Sequence, residues 1–185
     1  IRHLGEEINR DFDRYAGALA IPLLGPTVRW IMDNEGVAGS DLHVVLYASD
    51  QAQHPTIEQE WLRDTLPVAD VIRQVLARPP FNIPKNQIFT EAIDGIPADY
   101  SNMLSFYARS LPEVQQNVDA DTRVYLEVSG GTPAMASMLI VMGVEVFGES
   151  VRTLYMDRGA TVPYEVNVSR ELFARKSRDV LRNQL

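Results

Sequence analysis

The stretch Val124-Tyr125-Leu126-Glu127-Val128-Ser129-Gly130-Gly131-Thr132-Pro133-Ala134-Met135 decides the fold. Its first five residues are β-branched and apolar enough for a buried strand. Ser129-Gly130-Gly131 then breaks the strand, and Thr132-Pro133 reads as a helix start. Threonine is a good N-cap, and proline at the first helical position loses only an N–H that has no helical partner anyway. Ala134 to Phe147 carries almost no polar residue, which predicts a helix buried on most sides and capped by Gly148. The unit is therefore strand, glycine turn, helix.

The same alternation extends outward. Leu42 to Ala48 is a continuous run rich in branched residues, as in a parallel strand buried on both faces. It stops at Ser49-Asp50-Gln51. Thr56 through Ala77 has helical spacing (Ile57, Trp61, Leu62, Ala69, Ile72, Val75, Leu76), with Pro67 expected to bend or split it and Arg78-Pro79-Pro80 to close it. Gln87 to Ile93 predicts a short strand. Tyr100 to about Gln116 predicts a helix interrupted near Pro112. Val151 to Met156 and Tyr164 to Val168 predict further strands, and Ser169 is expected to cap a terminal helix to Leu185.

Nearer the N-terminus, Pro26 to Glu35 predicts a helix ended by Gly36, with Val28, Ile31 and Met32 inward. Ile1 to Tyr15 reads as a loop or a loose helix. Ala18 to Leu24 fits either a first strand or a helix start. Strands alternating with helices predict an α/β, Rossmann-like fold, with a mostly parallel sheet and helices on both faces. Ligands of such sheets bind outside the carboxyl ends of the strands, where Ala48–Gln51 and Ser129–Thr132 both fall.

Composition narrows the function. The chain has 185 residues, of which 45% are hydrophobic and 23% charged, as expected of one globular domain. Seventeen Lys and Arg stand against 25 Asp and Glu, a net charge of −8, which excludes a general nucleic-acid coating surface. An anionic ligand must then be held by local geometry. There is no cysteine, which removes thiol chemistry and suits a reducing cytosol, so a cytoplasmic location is expected. No run reaches about 18 consecutive apolar residues, so no membrane span is expected. The chain begins at Ile1, not Met, and an upstream segment is expected.

The glycine turn supports two readings. It is either a tight turn with Thr132 as a cap, or an anion site. In the second, Gly130 and Gly131 bring backbone close to a ligand, the helix start offers free N–H groups, and Ser129 and Thr132 add hydroxyls. It matches neither the Walker A pattern nor G-x-G-x-x-G, which disfavours ATPase and dehydrogenase chemistry.

With these residues in view, Val124 to Met135 resembles the strand–turn–helix motif of CARF domains, the CRISPR-associated Rossmann-fold sensors of type III systems. Their motif is an apolar strand, Ser/Thr-Gly-Gly/Ser-Thr-Lys/Pro, then Met three residues after Thr. Residues 25–185 follow the family's order, most strongly at 123–157. The resemblance implies a sensing domain over 1–168, whose first strand is not clearly present, and an exit helix over 169–185. It also implies a homodimer binding cyclic oligoadenylate, the tetramer or hexamer, across its twofold axis, and an effector in the same chain or as a partner in antiviral defence. The implied ligand set is Ala48, Ser49, Asp50 and Gln51 toward adenines, and Ser129, Gly130, Gly131, Thr132, Pro133 and Met135 at the phosphates. Asp157, after the next strand, completes it. No cofactor is implied.

Two further functions stay open beside the sensor. One is a ring nuclease that cuts its own ligand, where only Ser129 and Thr132 could position the ribose attack. Pro133 stands where other members carry a phosphate-binding lysine. The other is a CRISPR-linked transcription regulator lacking its DNA-binding part. The Arg-x-x-x-x-His motif of the family's HEPN ribonucleases is missing from the sequence. His3, His43 and His54 form no metal pattern. Asp50 and Asp157 read as turn residues or as ligands of a ribose hydroxyl or a metal. Trp30 and Trp61 read as core or interface residues, and Glu6-Glu7 as a solvated pair. The terminal helix is locally basic (Arg170, Arg175, Lys176, Arg178 and Arg182 against Glu171 and Asp179). It reads as a solvated face or as a connector to another module.

Overall fold

Residues 1–51, 63–119 and 121–183 are described by a computed structural model of the chain. They fall into two units, Ile1–Ile96 and Pro97–Leu185. The fold class is α/β, with parallel strand pairs flanked by helices as in Rossmann-like folds.

In the first unit, β1 (Val44–Ser49) pairs in parallel with β2 (Ile88–Ile93), Val44 opposite Ile88 and Ser49 opposite Ile93. The N-terminal segment is helical: α1 (Arg2–Arg10) and α2 (Phe12–Tyr15). No strand forms over 18–24; Leu19 is extended, and α3 (Leu24–Glu35) starts within that run. Gly36 ends α3 at φ +66°, a left-handed value that glycine reaches without strain. The helix between the strands, α4 (Leu66–Leu76), starts at the residue before Pro67, the point where the expected helix was to bend or split. Proline fits the first turn because no carbonyl in the helix awaits its N–H. Residues 52–62, with His54, Trp61 and the first part of the helix expected over 56–77, lie outside the described residues. Val28, Leu46, Ala48, Ala69, Leu76, Phe81, Ile83 and Ile88 form the core, with Met32 packed against it.

In the second unit, β3 (Val124–Glu127) and β4 (Val151–Tyr155) are parallel. β5 (Tyr164–Val166) runs antiparallel to β4, so the three-stranded sheet has order β3-β4-β5. α5 (Tyr100–Gln115) continues through Pro112, against the expected interruption. Pro112 sits in the last turn, and its own carbonyl still accepts from Gln116 N–H at 3.2 Å. α7 (Val168–Asn183) starts one residue before Ser169, so Ser169 is not its cap; Asn167 already accepts from Glu171 N–H. Arg152 and Arg170 converge on Glu165 at 3.6 and 2.9 Å, tying β4 and α7 to β5.

The signature helix α6 (Pro133–Phe147) is less buried than its composition predicts. Only Ala134, Leu139, Gly143 and Val144 are fully buried, and Val141 is exposed. Gly143 lies against Leu126 of β3, and any Cβ there would come within 2.6 Å of a Leu126 methyl. The stretch Pro133–Ser150 has the length and apolar composition of a membrane-crossing helix. α6 itself has 15 residues. At 1.5 Å per residue that is about 22 Å, short of the ~30 Å hydrocarbon layer, and its contacts with sheet and helix explain the composition.

Candidate functional site

The candidate residues divide between the two units. In the second, β3 and β4 end side by side, and the glycine turn leaves β3 there. Ser129 N–H donates to Glu127 Oε1 at 2.9 Å, and Ser129 Oγ accepts from Met156 N–H at 2.6 Å. The acceptor role leaves the Ser129 hydroxyl proton free to donate outward. Gly131 takes φ +80°, and the Met135 side chain lies where a Cβ on Gly131 would point, 3.1 Å away. Met135 is thus the packing partner of the turn.

Thr132 is the N-cap of α6, extended at φ −86°, ψ 161°, and its Oγ1 accepts from Met135 N–H at 3.2 Å. Its hydroxyl proton goes to the Pro97 carbonyl. Both hydrogen-bonding roles of Thr132 are therefore taken inside the protein, and the hydroxyl expected at a phosphate is a structural bolt. The N–H groups of Gly130, Gly131 and Thr132 have no partner among the described residues, and both glycines are exposed. Three donors at the start of a 15-residue helix, with its positive dipole end, can take an anion. Pro133 follows at the exposed first turn.

Asp157 follows β4 directly and is exposed, its carbonyl accepting from Ala160 N–H at 3.0 Å. Burial and then the nearby Asp157 carboxylate raise the pKa of Tyr164.

In the first unit, Ala48–Gln51 is the carboxyl end of β1. The Ala48 side chain is core, 2% exposed. Ser49 is buried and laced to Thr65: Ser49 N–H donates to Thr65 Oγ1 at 3.0 Å, and Thr65 N–H to Ser49 Oγ at 3.2 Å. Asp50 N–H donates to the Ile93 carbonyl at 3.0 Å. Gln51 donates twice to Asp64, from its backbone at 2.8 Å and its amide at 3.3 Å. Asp64 is 0% exposed. Arg2 Nη1 completes the cluster, 3.2 Å from Asp50 and 3.4 Å from Asp64. Burial pulls the Arg2 pKa down, but hydrogen bonds to Asp50 and Glu6 outweigh it and hold the guanidinium charged.

Sequence reading missed Arg2, Asp64, Thr65 and Pro97. Asp64-Thr65 just before Leu66-Pro67 is a helix-start signal that the longer apolar periodicity hid. Nothing local marks Pro97, or the Arg2 contacts with Asp50 and Asp64, whose partners lie 35 to 62 residues away. Among the described residues no group of three His, Cys, Asp or Glu could hold a metal.

No protein-family model matches the chain, and no curated protein does. Among solved structures, it is similar to Enterococcus italicus Csm6 bound to cyclic hexa-2'-fluoro-hexa-dAMP. The TM-score is 0.53 and the identity 13%, over 89% of this chain and 41% of that one. The chain thus spans about two fifths of that structure's length, and the likeness is one of fold.

Proposed function

We propose that this chain is a CARF-type sensor domain that binds cyclic oligoadenylate and passes the signal to an effector. One observation carries the reading: the strand–Ser129–Gly130–Gly131–Thr132–helix turn leaves three backbone N–H groups open at the start of α6. Such donors recognise a phosphate without net positive charge, which suits a chain of net charge −8. The fold likeness supports the reading, since the Enterococcus italicus structure carries a cyclic adenylate analogue.

In this reading Gly130, Gly131 and Thr132 bind phosphate through their amides, and Ser129 donates its free hydroxyl proton. Asp157 follows the end of β4, where a ribose would meet it, and the adenine contacts that the resemblance implies are Asp50 and Gln51 at the end of β1. Two copies related by a twofold would match a cyclic, symmetric ligand, one turn for each half of the ring. Tyr100, Leu104 and Val141, exposed on α5 and α6, supply apolar surface for such a pairing. The terminal helix α7 would then lead to the effector.

Ring cleavage fits less well. Residues 129–135 contain no histidine or lysine to take a proton, and the Thr132 hydroxyl is committed to Pro97. Calorimetry with cyclic tetra- and hexa-adenylate tests the sensor, and binding of neither ring overturns it. Linear products after incubation would move the assignment to ring nuclease. Sedimentation with and without ligand tests the dimer.

A further inference from the structure

Tyr155 and Tyr164 are a cross-strand pair, directly opposite each other in the β4–β5 register. Their ring centroids are 5.7 Å apart and tilted by 56°. Both are among the exposed large apolar side chains of the described residues, at 36% and 47%, so part of each ring is open to a ligand. Their place in the fold gives that exposure a use. Tyr155 is the last residue of β4, and the next amide, Met156 N–H, is bonded to Ser129 Oγ of the glycine turn. Asp157 comes next, close enough to act on the Tyr164 phenol through its charge. The open rings and the anion-binding turn therefore share one rim of the sheet, its strand carboxyl end.

We propose that Tyr155 and Tyr164 form a stacking platform for a purine base of a ligand whose phosphate sits on the Gly130–Thr132 amides. The inference rests on the sensor reading above and adds its base subsite. A base offers a π face of matching size, and aromatic platforms beside a phosphate-binding element are a general way to hold an unpaired base. A tilted pair leaves one ring face open to the base while the second ring backs the first.

Calorimetric titration of the whole chain with cyclic hexa-adenylate, compared with Tyr155→Ala, Tyr164→Ala and the two Phe variants, tests it. The expected result is binding weakened roughly five- to hundredfold by either alanine, the range of base–aromatic stacking, and changed less than about threefold by phenylalanine, which keeps the ring. Tyr164→Leu, which keeps apolar bulk without a π face, serves if an alanine variant melts early; it too should lose affinity. Wild-type affinity in the Ala and Leu variants overturns the platform while leaving the sensor reading intact. A loss in the Phe variants equal to that in alanine also overturns it, because the hydroxyls would then be the contact. No binding by the unaltered chain removes the sensor reading and the platform with it.

Discussion

The Met156 amide donates to Ser129 Oγ at 2.6 Å, so the ends of two parallel strands are joined by a side chain from the turn itself. The ladder's last backbone bond, Val128 N–H to the Leu154 carbonyl at 3.1 Å, lies just before it. Ser129 therefore extends the β3–β4 pairing past the point where the backbone diverges.

Ser129→Ala should leave the Met156 amide without an acceptor beneath a buried side chain. The expected loss is about 1–3 kcal/mol, read from the urea midpoint at unchanged slope. A midpoint equal to wild type would show that water replaces the hydroxyl.

Gly131→Ala combines a left-handed φ of +80° with a Cβ 3.1 Å from the Met135 side chain. The left-handed conformation alone costs about 1–2 kcal/mol. A melting temperature lowered accordingly is expected, whereas an unchanged one would mean that the turn has flipped to a negative φ.

Thr132→Val removes the cap of α6 and the link to Pro97. A loss of about 1 kcal/mol is expected from the cap, and Thr132→Ser should retain both bonds. Ligand affinity corrected for folding should change little, because the Thr132 hydroxyl faces protein. A specific drop in affinity with stability intact would place that hydroxyl on the ligand.

Asp64→Ala takes the acceptor from Gln51 and from Arg2 at a site with no exposure. Arg2 keeps Glu6 and Asp50, so the cost is that of the Gln51 donors left without an acceptor, about 1–3 kcal/mol. Faster amide exchange at Gln51 and in α1 should accompany the loss. Protection equal to wild type would disprove the coupling.

Glu6 predicts a pH effect. Its hydrogen bond with His3, opposed by burial and aided by Arg2, lowers its carboxyl pKa below the ordinary 4.5. A folded-state pKa below the unfolded one gives stability that is present above pH 4.5 and lost as pH falls through the lowered value. The stability difference between wild type and Glu6→Gln should therefore close on acidification below pH 4.5. A difference that widens there would reverse the sign.

Much of the second unit was legible because its signals are local. Val124 to Met135 holds strand, turn, cap and helix within 12 residues, and each preference agrees with the next. The burial of α6 was misread because apolar composition does not say which flank a neighbour covers. The Ala48–Gln51 edge was found as a strand end, but its hydrogen-bonding state was not, because Arg2, Asp64 and Thr65 arrive from elsewhere in the chain. Pro67 was read as a bend or split and marks the start of α4, whereas Pro112 was read as an interruption and α5 continues through it.

The open flank of α6 also sets how the chain behaves in salt. Copies carrying a net charge of −8 repel at long range, while exposed Val141 and Leu104 attract only on contact. Raising ionic strength from 0.01 to 0.15 M shortens the reach of that repulsion from about 30 to about 8 Å. The contact attraction is left intact, so salt alone, without ligand, should shift the chain toward association.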